Sequence, residues 1–130
     1  MQATGPFDVK LTSQPPAPGL ESANLGRQTI NKQFHGDLEG TSLGEMIAAM
    51  SSVQGSAGYV AMECVTGVLH GKRGSFVLQH TGVMNRGAPS LVITVVPDSG
   101  TDALTGLTGS LQILIEQGKH SYIFDYELPA

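Results

Sequence analysis

Two ionisable residues of the chain, Glu63 and His80, have the types and positions that suit acid/base chemistry. An imidazole can act as a general base, and a nearby carboxylate can orient it or act as the acid. Both residues lie in the stretch Tyr59–Val83, whose alternating apolar side chains and central glycines are typical of a long β-hairpin. Since alternate residues of a strand share a face, the pattern places both side chains among aromatic and apolar neighbours: Tyr59, Phe76 and Leu78.

The register of this hairpin depends on where its turn lies. The charged pair Lys72-Arg73, bracketed by Gly71 and Gly74, is predicted to form the tip. That tip predicts three cross-strand pairs: Leu69 with Phe76, Gly67 with Leu78, and Val65 with His80. A shift of one residue in either strand would move its side chains to the other face.

A third charged residue, Lys32, is expected on an inner face. It lies in a predicted strand from Arg27 to Gly36, where it shares a face with Ile30 and Phe34. A buried charge must pair, bond to a hydroxyl or water, or shift its pKa toward neutrality. The side chains predicted to line a ligand pocket are therefore the polar and aromatic ones on inner faces: Lys32, Tyr59, Glu63, His80, Tyr122 and Tyr126.

Two N-terminal segments complete this half of the fold. Alternation with polar residues predicts a half-buried strand at Phe7, Val9 and Leu11. The segment Leu38–Met50 has two interpretations, since Ser42 and Glu45 resemble a helix capping box. Glycines at positions 36, 40 and 44 disfavour a helix but suit a coiled strand, so we predict a strand.

The C-terminal segments also favour strands. The β-branched run Leu91–Val96 predicts a strand with both faces covered. A turn at Gly118-Lys119 predicts a closing hairpin with one strongly apolar face. Its predicted pairs are Ile115 with Tyr122, Ile113 with Phe124, and Leu111 with Tyr126.

These segments predict an all-β fold with about eight strands and short turns, in a single domain that covers residues 1–130. Antiparallel strands in this number favour one closed β-barrel, because closure removes exposed edges. The 17 glycines of the chain suit strongly curved strands. A β-sandwich is the alternative architecture. An eight-stranded barrel is filled by its own side chains or holds one small ligand.

Composition excludes several classes of function. The chain has 7 Lys plus Arg against 11 Asp plus Glu, with the cations scattered, which argues against nucleic acid. No run reaches the roughly 18 apolar residues of a membrane helix, and the first residues do not resemble a signal peptide, so we predict no membrane association and a cytoplasmic location. The four histidines lack metal-ligand spacing, and we predict neither a metal site nor a cofactor.

The other face of the central hairpin predicts a partner. It is too apolar to be left in water, since it carries Val60, Met62, Cys64, Val68 and Val77. A patch of this kind outside a barrel is typical of an oligomer interface, and we predict a homo-oligomer, most simply a dimer. The single cysteine, Cys64, is predicted to be buried against a neighbouring subunit or sheet.

Five segments of the chain resemble an uncharacterised bacterial family, domain of unknown function 3224. They are Gly58–Glu63, Gly71–Phe76, Gln79-His80, Asp98–Thr101 and Tyr122–Tyr126. The resemblance extends along nearly the whole chain and implies a barrel similar to that of allene oxide cyclase. It brings no activity with it, because none of the catalytic residues of that cyclase matches a position of this chain one by one.

Three functions remain open from the sequence. The barrel binds a small hydrophobic or amphipathic molecule beside Glu63, His80 and the tyrosines, or it is an isomerase or cyclase that uses Glu63 and His80 as acid and base. In the third, the two residues bond to each other or to a tyrosine hydroxyl, and the filled barrel serves only as an interaction module. A void beside the two residues distinguishes the first two from the third.

Overall fold

The computed structural model describes residues 1–129 as one closed antiparallel β-barrel of eight strands in sequence order, which confirms the predicted fold class. Ala130, the last residue of the predicted domain, lies outside the described residues. The strands are β1 (Gln2–Gln14), β2 (Leu25–Phe34), β3 (Leu38–Met50), β4 (Ala57–Leu69), β5 (Lys72–Asn85), β6 (Ala88–Val95), β7 (Thr108–Glu116) and β8 (Lys119–Glu127). A short 3₁₀ helix, Asp102–Leu104, lies between β6 and β7. In the described chain, no helix is long and apolar enough to cross a membrane.

Strand β3 has the bounds that the sequence predicts, and its glycines explain why it is not a helix. A Cβ atom added to Gly44 would lie 2.7 Å from the Cα of Glu63 on β4. A Cβ on Gly40 would lie 2.9 Å from the Cα of Gly67. The glycines therefore allow β3 and β4 to approach closely as the sheet coils.

One end of the barrel, which we call the closed end, is filled with apolar side chains. Leu104 and Leu107, from the segment that contains the 3₁₀ helix, pack into the same cluster as strand residues. Each large side chain buried there stabilises the fold by about 1.5–3 kcal/mol. The strand residues of this cluster include Phe34, Leu38, Leu69, Phe76, Phe124 and Tyr126.

At the opposite end, which we call the mouth, the barrel wall is shorter on one side than on the other. Strands β3 to β5 have 13 or 14 residues, whereas β6 to β8 have 8 or 9. Strands β6 and β7 share only the pair Thr94 and Ser110, and the pairing of β1 with β8 stops at Phe7 and His120. The mouth is therefore open above the β7–β8 hairpin.

Three predictions of burial are wrong. Leu11 and Ile115, expected in the interior, are 47% and 64% exposed. The predicted cover on both faces of β6 is also wrong, because Leu91 and Val92 are exposed while Ile93 and Val95 are buried. Leu11, Leu91 and Ile115 are exposed because the short strands leave the mouth open, whereas Val92 lies on the outer face of β6, which no other element of the described chain covers.

Both predicted hairpin registers are wrong by an even number of residues. The β4–β5 turn is His70-Gly71, with φ of 46° and 80°, so Leu69 pairs with Lys72 and Val65 with Phe76. The β7–β8 turn is Gln117-Gly118, so Ile113 pairs with Tyr122 and Leu111 with Phe124. Two successive residues with positive φ form the type of turn that matches strand twist. Because side chains alternate with a period of two, the predicted faces survive the shift.

Candidate functional site

The inner wall of the barrel carries a buried polar cluster centred on the carboxylate of Glu63. Its Oε1 atom accepts a hydrogen bond from Lys32 Nζ at 2.9 Å and one from His80 Nε2 at 2.7 Å. Its Oε2 atom accepts a hydrogen bond from Ser42 Oγ at 2.6 Å. Each of these four side chains is at most 5% exposed. We call this group the polar cluster: Lys32, Ser42, Glu63 and His80.

Four consecutive strands position the polar cluster. Lys32 on β2 is paired with Ser42 on β3, and His80 on β5 is paired with Ala61, two residues before Glu63 on β4. Gly44 lies opposite Glu63 and leaves space for its side chain. The structure therefore brings together Lys32, Glu63 and His80, each of which the sequence predicts on an inner face.

Ser42 is the member of the polar cluster that sequence reasoning missed. Its resemblance to a helix cap obscures this role in the sequence, whereas the strand Leu38–Met50 places it on the same face as Leu38 and Gly44. The place of this small hydroxyl on the inner face of the predicted strand is the signal that the sequence offers, whereas its pairing with Lys32 is seen in the structure.

The pKa of Glu63 reflects a competition between burial and its partners. Burial by itself raises the pKa of this carboxyl. The hydrogen bond from His80, the charge of Lys32 and the hydrogen bond from Ser42 outweigh burial and lower the pKa to about 2. Glu63 is therefore an anion at neutral pH, and it accepts hydrogen bonds without donating any.

Lys32 has apolar as well as polar partners. Its ammonium group lies 5.1 Å from the ring centroid of Phe7 and 5.7 Å from that of Phe34. Attraction to an aromatic face adds to the ion pair with Glu63 and keeps the lysine inside the barrel. The ion pair has no net charge, so the low-polarity interior holds a neutral unit.

Tyr59 connects the polar cluster to the mouth. Its hydroxyl oxygen lies 3.3 Å from His80 Nδ1, and its burial and the charge of Glu63 both raise the pKa of the phenol. The ring of Tyr59 lies across Gly82, where an added Cβ atom would be 2.2 Å from the ring carbon Cε1. Gly82 therefore provides the space that holds the tyrosine ring against the wall.

The other two predicted tyrosines have different partners. The Tyr122 hydroxyl donates to the carbonyl of His35 at 2.7 Å and accepts from the amide of Leu38 at 2.9 Å. The Tyr126 hydroxyl bonds to His70 Nδ1. Burial raises the pKa of both phenols, and the charge of Asp37 adds to that effect. Neither hydroxyl has a hydrogen bond to the polar cluster among those of the described residues.

An apolar pocket of about 290 Å³ lies at the mouth, above Tyr59. Its residues come from β3, β4, β5 and β6, and most of them occupy inner-face positions. They include Met46, Ala48, Tyr59, Gly82, Met84 and Leu91. The pocket reaches Tyr59 but is not lined by Glu63 or His80.

The polar cluster itself is closed and fully bonded. Over residues 1–129, no buried side-chain nitrogen or oxygen atom lacks a hydrogen-bond partner. Both bonds that the filled-barrel alternative allows are present, since His80 is bonded to Glu63 and also to the hydroxyl of Tyr59. A molecule in the pocket would thus contact Tyr59 directly. It would interact with the polar cluster only through the hydrogen bond between Tyr59 and His80.

These features define a closed eight-stranded antiparallel barrel with a charged cluster inside and an apolar pocket at one end. The family model described as protein of unknown function (DUF3224) matches residues 3–126, and the chain belongs to this family, as the resemblance predicted. A crystal structure of a protein with unknown function from the DUF3224 family of Shewanella oneidensis MR-1 is 50% identical, with a TM-score of 0.92. The alignment covers 100% of this chain and 98% of that one. No curated protein matches the chain.

Proposed function

We propose that the barrel binds a small hydrophobic or amphipathic molecule in the pocket at its mouth. The observation that carries the proposal is an apolar pocket of about 290 Å³ with Tyr59 in its lining, whose hydroxyl is bonded to His80 of the polar cluster. Ligand sites commonly combine an apolar lining with a few placed polar groups. The volume lies at the low end of the usual range of about 300–1,000 Å³, which favours a small ligand.

Exposure at the mouth supports the same proposal. Leu11, Leu91 and Ile115 are 47%, 44% and 64% exposed, although all three lie on strands of the barrel. Apolar side chains left in water around a concave site gain free energy when a ligand covers them, at about 25 cal/mol per Å² of apolar surface. Of the three, Leu91 lines the pocket, so a ligand there covers an apolar side chain that the short strands leave exposed.

A second function, acid/base catalysis, is favoured by one observation. A carboxylate, an imidazole and a phenol form a continuous hydrogen-bonded chain from Glu63 through His80 to Tyr59, and the chain ends at the pocket. In this arrangement the Tyr59 hydroxyl is the group that meets the substrate, His80 exchanges its proton, and Glu63 orients His80. The reaction class is isomerisation or cyclisation of a small apolar molecule, and its rate would follow the titration of this chain.

The test of binding uses two alanines that are adjacent in β3. Ala48 lines the pocket, whereas Ala49 is exposed and does not. Ala48→Phe fills the pocket, and Ala49→Phe adds the same ring outside it. Native mass spectrometry of freshly purified protein, followed by denaturing release, should find a bound compound in the wild type and in Ala49→Phe but not in Ala48→Phe.

A protein that carries no compound is titrated with the neutral dye Nile red. The proposal predicts saturable fluorescence enhancement that Ala48→Phe removes and Ala49→Phe retains. Equal behaviour of all three proteins, or the absence of enhancement in the wild type, would favour the filled barrel as an interaction module.

We also propose that the protein is a homo-oligomer, with a dimer as the simplest form. The outer face of β3 and β4 carries exposed apolar side chains, with Leu43 at 64%, Val60 at 55% and Met62 at 49% exposure. Cys64 is exposed on this face, so no other sheet of the described chain covers it. Its burial against a second subunit stays part of the proposal, as the cytoplasmic location stays a prediction.

A further inference from the structure

The hydrogen bonds from Glu63 through His80 to Tyr59 indicate whether a ligand in the pocket would donate or accept a hydrogen bond. Two of the pocket residues have polar side chains, Tyr59 and Ser90. Ile93 and Val95 point inward from β6, so the alternation of that strand turns Ser90 outward. Tyr59 is therefore the polar group that meets a molecule inside the pocket.

The proton positions follow from Glu63. A carboxylate can only accept, so His80 Nε2 carries a hydrogen and donates it to Oε1 at 2.7 Å. The same Oε1 atom already accepts from the Lys32 ammonium at 2.9 Å, which balances the charge of Glu63. The neutral form of the imidazole adds no further charge to this cluster, and it is the form on which the ligand assignment depends.

A neutral imidazole with its hydrogen on Nε2 has a lone pair on Nδ1. With this tautomer, the Tyr59 hydroxyl, which lies 3.3 Å from that atom, is the donor of the hydrogen bond. A phenol has one hydrogen to donate, so the remaining capacity of the Tyr59 oxygen is as an acceptor. The Tyr59 oxygen therefore favours a ligand that donates a hydrogen bond.

The charges around the pocket argue against an anionic ligand. None of the residues that line the pocket is charged, and Lys32 is 5% exposed and paired with Glu63. A carboxylate that left water for this site would meet neither a cation nor a free donor. Arg86 lies in the β5–β6 turn, between the pocket residues Met84 and Pro89, and serves as the test of an outward-facing head group.

We propose that the ligand is a neutral, largely apolar molecule with one hydroxyl group, and that this hydroxyl donates a hydrogen bond to the oxygen of Tyr59. The inference rests on the proposed function, because it names the ligand class of the same pocket. It makes Tyr59 the residue that sets specificity, while Glu63 and His80 act as positioning residues that hold the hydrogen of Tyr59 away from the ligand.

Three probes with the same chain length test this inference: 1-octanol, 2-octanone and octanoate. The alcohol can donate, the ketone can only accept, and the carboxylate is charged. Displacement of Nile red from the wild type should show 1-octanol binding about twofold to twelvefold more tightly than 2-octanone, the range expected for one hydrogen bond. Octanoate should bind more weakly than either.

Tyr59→Phe keeps the ring and removes the hydroxyl, and it should reduce the preference for 1-octanol over 2-octanone to about onefold. Thermal unfolding verifies that this variant is folded. If it is not, Gly82→Ala provides a second variant, because it displaces the tyrosine ring and keeps its hydroxyl. The preference should be lost in that variant as well.

The outcomes separate this inference from the proposed function. Failure of Nile red and all three probes to bind the wild type overturns both. Binding that Ala48→Phe abolishes supports the pocket. If that binding shows no preference for the alcohol, or if the preference survives Tyr59→Phe, the donor inference is wrong and the proposed pocket still stands. Octanoate that binds as tightly as 1-octanol and loses affinity in Arg86→Gln overturns it too, since the head group then faces outward.

Discussion

At the residue scale, the polar cluster is held together by charge balance. Glu63 accepts hydrogen bonds from three side chains, and the ammonium of Lys32 provides the compensating charge in an interior with few other polar groups. A buried ion pair of this kind contributes little net stability relative to a well-packed apolar pair, but removal of one partner is costly. The cluster therefore adds little to the net free energy of unfolding, but the loss of either charged partner is strongly destabilising.

Glu63→Gln should destabilise the barrel by about 3–5 kcal/mol, because it leaves the Lys32 ammonium buried without a counterion. The double variant Lys32→Met with Glu63→Gln should recover a large part of that loss. The measurement is the free energy of unfolding in urea for both single variants and the double variant. A loss in Glu63→Gln that the double variant does not reduce would contradict charge balance.

Glu45 provides a matched control at the surface. Its carboxylate lies 2.7 Å from Arg27, but the two side chains are 53% and 35% exposed. Glu45→Gln should cost less than about 1 kcal/mol, since exposed ion pairs are screened by water. Equal effects of the two glutamine variants would show that burial of Glu63 does not matter.

The same carboxylate predicts a dependence of stability on pH. The pKa of Glu63 falls from 4.5 to about 2 on folding, so its contribution is fully present above pH 4.5 and is lost as the pH falls toward 2. The wild type should lose about 3 kcal/mol more than Glu63→Gln over this range, by the free energy that such a shift represents. Urea unfolding between pH 6 and pH 2.5 checks this difference, and parallel curves for the two proteins would contradict it.

The members of the polar cluster differ in how visible they are in the sequence. Glu63, His80 and Lys32 are found by alternation alone, because an ionisable residue among apolar ones at a spacing of two is conspicuous. Tyr122 and Tyr126 share inner-face positions, but their hydroxyls reach backbone groups and His70 at the closed end. Alternation gives the face of a residue and not its height along the barrel axis, so it cannot separate these tyrosines from Tyr59.

At the element scale, strands β4 and β5 present Tyr59 to the mouth by means of a glycine. Gly82 is paired with Tyr59, and the aromatic ring covers the space that a side chain at position 82 would take. This contact crosses between strands, and it depends on a register that the sequence predicted incorrectly. The pairing of Tyr59 with Gly82 follows only when the β4–β5 turn is placed at His70-Gly71.

Gly82→Ala should displace the ring of Tyr59 and destabilise the barrel by about 1–3 kcal/mol, because the added methyl group overpacks a close contact. Gly58→Ala is the matched control, since a Cβ there would meet only the carbonyl oxygen of Gly82 at 3.7 Å. The control should change stability by less than about 0.5 kcal/mol. Urea unfolding and the aromatic NMR signals of Tyr59 check both variants, and an unmoved ring in Gly82→Ala would contradict this packing.

The hairpin turns show why the strand faces were predictable and the pairs were not. Each true turn consists of a polar residue and a glycine, His70-Gly71 and Gln117-Gly118, both with positive φ. The predicted tips lie further along the chain: Lys72-Arg73, between Gly71 and Gly74, and Gly118-Lys119, which shares Gly118 with the true turn. The choice between neighbouring turns depends on local backbone twist, whereas the choice of face depends on hydrophobic burial over the whole strand.

At the scale of the whole molecule, the barrel has one filled end and one open end. Eight alternating strands were enough to predict closure, since an open sheet of this composition would leave edges unprotected. The mouth was not predictable, because it arises from the difference in length between β3 to β5 and β6 to β8. Strand ends are the least certain part of a sequence-based assignment, and here they determine where the pocket lies.

The outer apolar face leads to a prediction about assembly. Sedimentation velocity at micromolar concentration should show a species larger than the monomer, and Val60→Glu should shift it toward monomer by placing a charge in the interface. Thr12→Glu, on the exposed outer side of β1, should leave the assembly unchanged. A wild type that sediments only as monomer would rule out the proposed interface.

The most direct test of the central claim, that the mouth pocket is a binding site, uses the methionine methyl groups of the protein. Of the five methionines, Met46 and Met84 line the pocket, while Met62 lies on the outer face and Met1 contacts Tyr126 at the closed end. In ¹³C-methyl-methionine NMR, titration with 1-octanol should shift the signals of Met46 and Met84 in a saturable manner and leave those of Met62 and Met1 in place. Signals of Met46 and Met84 that stay fixed, or that move no more than that of Met62, would contradict a ligand site at the mouth.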